Sequence, residues 1–159
     1  MPDEILSLHE ILDMAHEVEL NGEILYRRAA DMVMNHRSRK MFVELADLEA
    51  EHAETFLKMR QELPGRFPVE PDAQTRQHMR AFAAGHIFDG NADPAELLKH
   101  VHGIEGILKL AIQIEKDTVI FYLGFQDLLR SADSENRLDK IIHEEMAHIY
   151  KLSDFLLTL

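Results

Sequence analysis

Apolar positions recur along most of this chain at alternating spacings of three and four, the interval that lays residues on one face of a helix. The first such stripe is Leu8, Leu12, Ala15, Glu19, Gly22, Tyr26, Ala29, Val33, and the second is Phe42, Leu45, Glu49, His52, Phe56, Met59, Leu63. The third runs Leu108, Ala111, Glu115, Thr118, Tyr122, Phe125, Leu129, and the fourth Leu138, Ile141, Glu145, His148, Leu152, Phe155, Leu159. These periods predict four long helices, over 8–34, 39–63, 104–130 and 134–157, with two shorter ones, 73–88 and 94–102, between the second and the third. Turn-forming residues separate them: Asn35 to Ser38, Pro64-Gly65 with Pro68 and Pro71, Gly90 to Pro94, and Ser131 to Ser134. Ser7 with Glu10, and Asp93 with Pro94 and Glu96, read as capping boxes at helix starts. No alternating run is long enough to compete as a strand, so the fold class is all-α.

Each stripe carries a glutamate at its centre. A shift of 96 positions superposes the halves of the chain: Ala15, Glu19, Ile24 and Tyr26 fall on Ala111, Glu115, Ile120 and Tyr122, and Glu49 and His52 fall on Glu145 and His148. Each half thus has Glu-x6-Tyr on its first helix and Glu-x-x-His on its second, with 23 positions from Tyr to Glu in both. The stretch from about 64 to 103 becomes the crossover that joins two related helix pairs.

Four carboxylates on the inner faces of a bundle cannot stay there as unpaired anions, because desolvation costs several kcal/mol per charge and mutual repulsion adds to it. Protonation, cationic partners or metal would relieve them. No Lys or Arg stands on any of the four stripes. Metal also accounts for the histidines: a Glu at i and a His at i+3 share a helix face and can grip one ion. Two divalent ions would neutralise four carboxylates and two neutral imidazoles, a donor set suited to Fe, Mn or Zn.

The segments MAHEVELNGEILYRRAA and LAIQIEKDTVIFY resemble the first and third helices of the ferritin-like superfamily, and within it of rubrerythrin-like di-iron proteins. LADLEAEHAETF and IIHEEMAHIYKL resemble the second and fourth. The resemblance implies one domain over 1–159, a ferritin-like four-helix bundle whose long crossover contains short helices. It also implies two iron ions held by Glu19, Glu49, His52, Glu115, Glu145 and His148, a site that Zn or Mn would also fit. Tyr26 and Tyr122 would donate hydrogen bonds to carboxylates of the site. Two features depart from rubrerythrins proper. The 159 residues include no Cys, hence no rubredoxin-like segment to deliver electrons, and Thr118 stands where that family carries an additional glutamate. Four Glu and two His resemble the set of bacterioferritin instead. The implied activity is reduction of hydrogen peroxide or O2 by a non-haem di-iron oxidoreductase fed by an external electron donor, such as a rubredoxin-like protein, with the protein a homodimer. A ferroxidase or iron-storage subunit is the alternative, and an inactive structural bundle a further one.

Composition narrows the partners. Arg and Lys number 17 against 29 Asp and Glu, giving a net charge of −12, which repels nucleic acid and anionic membrane surfaces. The absence of Cys excludes disulfides and thiolate metal sites and accords with a cytoplasmic location. No apolar run approaches the ~20 residues of a membrane span, and Met1 to Glu4 have no signal-peptide character. The remaining histidines lack a partner pattern: His16 reads as a partly exposed helical residue, His143 as surface, and His9, His36, His78, His86, His100 and His102 as unassigned. Glu51, Glu54 and Glu144 adjoin the proposed ligands but turn off the stripe, towards solvent, and Met59 reads as core.

Overall fold

The computed structural model describes residues 7–65, 70–83 and 93–159. Within them the chain forms α1 (Leu8–Met32), α2 (His36–Glu62), α3 (Ala73–Ala83), α4 (Pro94–Lys99), α5 (Gly103–Arg130) and α6 (Arg137–Leu157). The four long helices pair as two hairpins, α1 with α2 and α5 with α6, while α4 lies on α1 and α3 on α5. This is the all-α, four-helix arrangement with helical crossover that the stripes predict. None of the described helices is long and apolar enough to cross a membrane.

Local chemistry sets the helix ends. Ser7 and Glu10 form the expected capping box: Glu10 N–H donates to Ser7 Oγ at 3.2 Å and Ser7 N–H to Glu10 Oε2 at 2.6 Å. Asp93 caps α4 by accepting from Ala95 N–H at 2.9 Å, whereas the Glu96 carboxylate takes Lys99 Nζ. Several boundaries differ from the pattern of apolar positions. The first helix ends at Met32 because Val33 is extended, and the second begins at His36 because the Asn35 side chain accepts from both Arg37 and Ser38 N–H. The fourth long helix begins at Arg137, not at 134: Asn136 is left-handed (φ 54°), and the buried Asp133 carboxylate reaches forward to accept from Leu138 N–H at 2.8 Å. In the crossover the helix expected over 94–102 stops at Lys99, since Gly103 (φ 66°) starts a new one. The far end of the helix expected over 73–88, the His86 position and the turn at Gly90 lie outside the described residues.

The predicted stripes are the buried faces except near two helix ends: Leu63 and Phe155 are only partly buried, and Leu159, beyond the end of α6, is exposed. The buried apolar side chains form two clusters. One gathers residues such as Leu25, Phe42, Leu45, Leu108 and Leu152, and the other residues such as Leu12, Phe56, Met59, Phe125 and Ile141. The glutamates fall between these two plugs along every long helix.

Candidate metal centre

Between the apolar clusters, each long helix contributes one turn that carries carboxylate or imidazole inward. Glu19 (α1), Glu49 and His52 (α2), Glu115 (α5), and Glu145 and His148 (α6) are all buried, none more than 4% exposed. They form two overlapping groups, Glu19–Glu49–His52–Glu145 and Glu49–Glu115–Glu145–His148, whose facing oxygen and nitrogen atoms lie within 4.8 Å of one another in each group. Glu49 and Glu145 belong to both. Each remaining glutamate stands with the histidine of its own half of the chain. The two imidazoles stack with centroids 5.8 Å apart and planes 17° from parallel.

The donor atoms converge without satisfying one another. His52 Nδ1 lies 2.7 Å from Glu145 Oε1 and 3.4 Å from Glu19 Oε2, and His148 Nδ1 lies 3.1 Å from Glu49 Oε1 and 3.3 Å from Glu115 Oε1. Yet Glu19 Oε2, Glu49 Oε1, both Glu145 oxygens and both Nδ1 atoms lack a hydrogen-bond partner in proper alignment. Buried polar atoms in native proteins are nearly always paired. So many orphans aimed at two shared points is what a pair of cations would resolve, and carboxylate with imidazole is a donor set for Fe, Mn or Zn.

Electrostatics records the same strain. Burial, followed by the neighbouring carboxylates, pushes the Glu49 and Glu145 carboxyls well above the ordinary range. Burial acts on Glu115 too, but hydrogen bonds and charge from Glu145, His148 and Tyr26 outweigh it and hold that group below its ordinary value. Burial disfavours charge on the imidazoles. The carboxylates beside them prevail, carrying His52 up to about 11 and His148 up to about 9. Without metal, protons fill the role that cations would take.

Tyr26 and Tyr122 do donate to the site's carboxylates, and they do so across the repeat: Tyr26 Oη–H to Glu115 Oε1, and Tyr122 Oη–H to Glu19 Oε1. Their hydroxyls are driven well above the ordinary tyrosine value, by burial first and then by those carboxylates. The pairing is crossed because α1 and α5 lie antiparallel, so that a residue two turns beyond one glutamate stands level with the other. Each tyrosine fixes one carboxylate oxygen: Glu19 keeps Oε2 turned to His52, whereas Glu115 meets both Tyr26 and His148 through the same Oε1.

This geometry can be set beside known proteins. The rubrerythrin family model matches residues 10–156. The chain belongs to the rubrerythrin family. A solved structure from Thermotoga maritima, described as a putative ferritin-like diiron-carboxylate protein at 2.30 Å resolution, is 28% identical, covers 95% of each chain and superposes with a TM-score of 0.74. No curated protein matches. Family membership and the buried Glu/His groups together make this a rubrerythrin-family bundle with a candidate dinuclear metal centre.

Two residues of this rubrerythrin-family site escape the sequence pattern. Glu144, expected to face solvent, is only half-exposed and stands 2.6 Å from His52 Nε2, on the ring edge opposite the site. It is displaced from its expected place because one step before Glu145 on α6 faces the neighbouring α2, not open water. Gly22 is read in the sequence as one more small stripe residue. A β-carbon there would collide with the Glu49 carboxylate, so its absence is what admits that group against α1. The position equivalent to Gly22 is Thr118, which is buried and donates its hydroxyl to Ile114 O at 2.9 Å. Among the described residues, the others set aside stay outside the site. His16 Nδ1 contacts Ala53 O at 2.9 Å, His143 contacts Asp139 O, His78 packs over Gly124, and Glu51, Glu54, His100 and His102 are exposed.

Proposed function

We propose that this protein is a non-haem di-iron oxidoreductase that reduces hydrogen peroxide or O2 with electrons from a separate donor. The observation that carries the reading is the set of buried carboxylates and imidazoles converging from four helices on two points, most of them with facing atoms left unpaired. Glu49 and Glu145, which belong to both groups, would be shared by two metal ions, while Glu19 with His52 and Glu115 with His148 would each hold one of them. Bound iron would supply the redox chemistry: peroxide takes two electrons and two protons to give two waters, one electron from each Fe(II). The chain's own part is to hold the ligands before the metal arrives and to keep the interior dry. Tyr26 and Tyr122 hold Glu115 and Glu19 in place.

A small oxidant would approach through a cleft beside the site. A cleft of about 200 Å³ between α1 and α5, roofed by α4, is lined by Val18, Gly22, Leu25, Leu97 and Ile114 among others. Gly22 borders the cleft on one side and the Glu49 carboxylate on the other. Glu49 is also the most exposed of the four carboxylates, at 4% against 0–2% for the rest.

The test is stopped-flow oxidation of the anaerobically Fe(II)-loaded protein, with H2O2 and O2 compared. Two irons per chain oxidised far faster by H2O2 support a peroxide reductase. Equal reaction with O2 that continues through repeated additions of Fe(II) would instead make it a ferroxidase. Glu49→Ala and Glu145→Ala should each abolish two-metal binding. Retention of two irons at unchanged affinity in both variants sinks the assignment of the site.

A further inference from the structure

The 96-residue repeat makes the two ends of the centre nearly equivalent, so any difference between them stands out. One is chemical. His52 has a carboxylate against its outward nitrogen: Glu144 Oε2 lies 2.6 Å from Nε2, and Lys140, one turn back on α6, lies 3.7 Å from the other Glu144 oxygen. Among the described residues His148 has no counterpart to it, its Nε2 being buried without a hydrogen-bond partner. The residue equivalent to Glu144 is Leu48, which has no polar atom to offer.

A carboxylate on the outward nitrogen fixes the ring in two ways. It holds the hydrogen on Nε2, which leaves the Nδ1 lone pair facing the site, and it removes the ring's freedom to flip. His148 has neither restraint and must be ordered when a metal binds, besides keeping a buried N–H without a partner.

We propose that Glu144 is a positioning residue that makes the two metal positions unequal, so that the end formed by Glu19 and His52 fills first and more tightly than the end formed by Glu115 and His148. The inference rests on the two-metal reading of the site and adds an order of loading to it. It requires that the carboxylate act through its hydrogen bond to His52 and not merely through its charge.

Titration of the full metal-free chain with Co(II), followed by its visible absorption, tests both points. The wild-type protein is expected to bind two ions in two resolved steps. Glu144→Leu should weaken the first step by about tenfold or more, the usual effect of removing a hydrogen-bond partner from a metal-bound histidine, and leave the second step unchanged. Glu144→Gln, whose amide oxygen can still accept from Nε2–H, should keep the first step. Leu48→Glu should tighten the second. In the proton spectrum of the one-Co(II) form, a single shifted imidazole N–H should exchange slowly with solvent and should disappear in Glu144→Leu. Thermal midpoints of the metal-free variants show that each is folded. Two equal steps in the wild type, or a first step unchanged in Glu144→Leu, overturns the proposal while leaving the dinuclear site intact. Equal loss in the Leu and Gln variants assigns the effect to charge and overturns the positioning role. No Co(II) binding at all removes the dinuclear reading and this inference with it.

Discussion

A glycine and two tyrosines show how much single atoms matter in this centre. Tyr26 and Tyr122 each give a buried hydroxyl to a buried carboxylate, and a hydrogen bond to a charged group contributes about 1.5–3 kcal/mol. Tyr26→Phe or Tyr122→Phe should therefore lower the stability of the metal-free protein by roughly that amount in urea denaturation, with each variant also binding Co(II) less tightly. Gly22→Ala should behave in the opposite sense. Alanine favours a helix by about 1 kcal/mol over glycine, and the atom it would strike is the end of the flexible Glu49 side chain. The fold should hold or gain stability while two-metal binding weakens. A Gly22→Ala protein that binds two ions as tightly as wild type would show that Glu49 does not need that space. At this scale the buried glutamates, histidines and tyrosines that converge were legible in the sequence, because a glutamate in an apolar stripe contradicts its surroundings. Glu144 was not legible. Its neighbours in sequence are equally polar, and only the approach of α2 to α6 decides that it meets His52.

The helices are fixed by their faces, and their ends by side chains that the apolar period cannot see. Stripes of three and four placed all four long helices. The errors of boundary came at Val33–His36 and Ala132–Asn136, where Asn35 and Asp133 cap from positions that read simply as turn. Asp133 is nearly wholly buried, accepts from Leu138 N–H and holds Arg137 Nε at 3.2 Å. Asp133→Ala should therefore cost about 1–2 kcal/mol, at the upper end for loss of a cap, seen as a lower thermal midpoint. Co(II) binding should be little changed, since the cap lies two turns before Glu145. The hydrophobic clusters at either end of the site supply the stiffness that keeps the turns carrying its glutamates and histidines in register.

For the molecule as a whole, the buried charges tie stability to pH and to metal. Glu49, Glu145, His52 and His148 all bind protons more tightly in the fold than in the unfolded chain. Stability rises with pH only where the unfolded state holds more protons. Here the folded state holds more, so the contribution of the histidines is whole below about 6.5 and is lost as pH rises through about 9 for His148 and about 11 for His52. The raised carboxyls act in the same sense from their ordinary value near 4.5 upward. Glu115 opposes them, but only in acid, where its contribution is lost as pH falls. The metal-free protein should thus lose thermal stability between neutral and alkaline pH. Metal replaces those protons, so Co(II) should stabilise more as pH rises, and its binding should release protons. A thermal midpoint that is flat from pH 6 to 9 without metal contradicts this account. The two-fold repeat, readable from one offset in the sequence, turns out to be interlocked: each half's tyrosine holds the other half's glutamate, and Glu49 and Glu145 face both ends. Neither helix hairpin can assemble an ion site alone, whereas two copies of a single hairpin, set about an axis, would complete both. The centre has the form of a symmetric dimer interface folded into one polypeptide. Joining the copies is what allows Gly22 to differ from Thr118, and Glu144 from Leu48, and so gives the protein two distinguishable ends where a true dimer would have two identical ones.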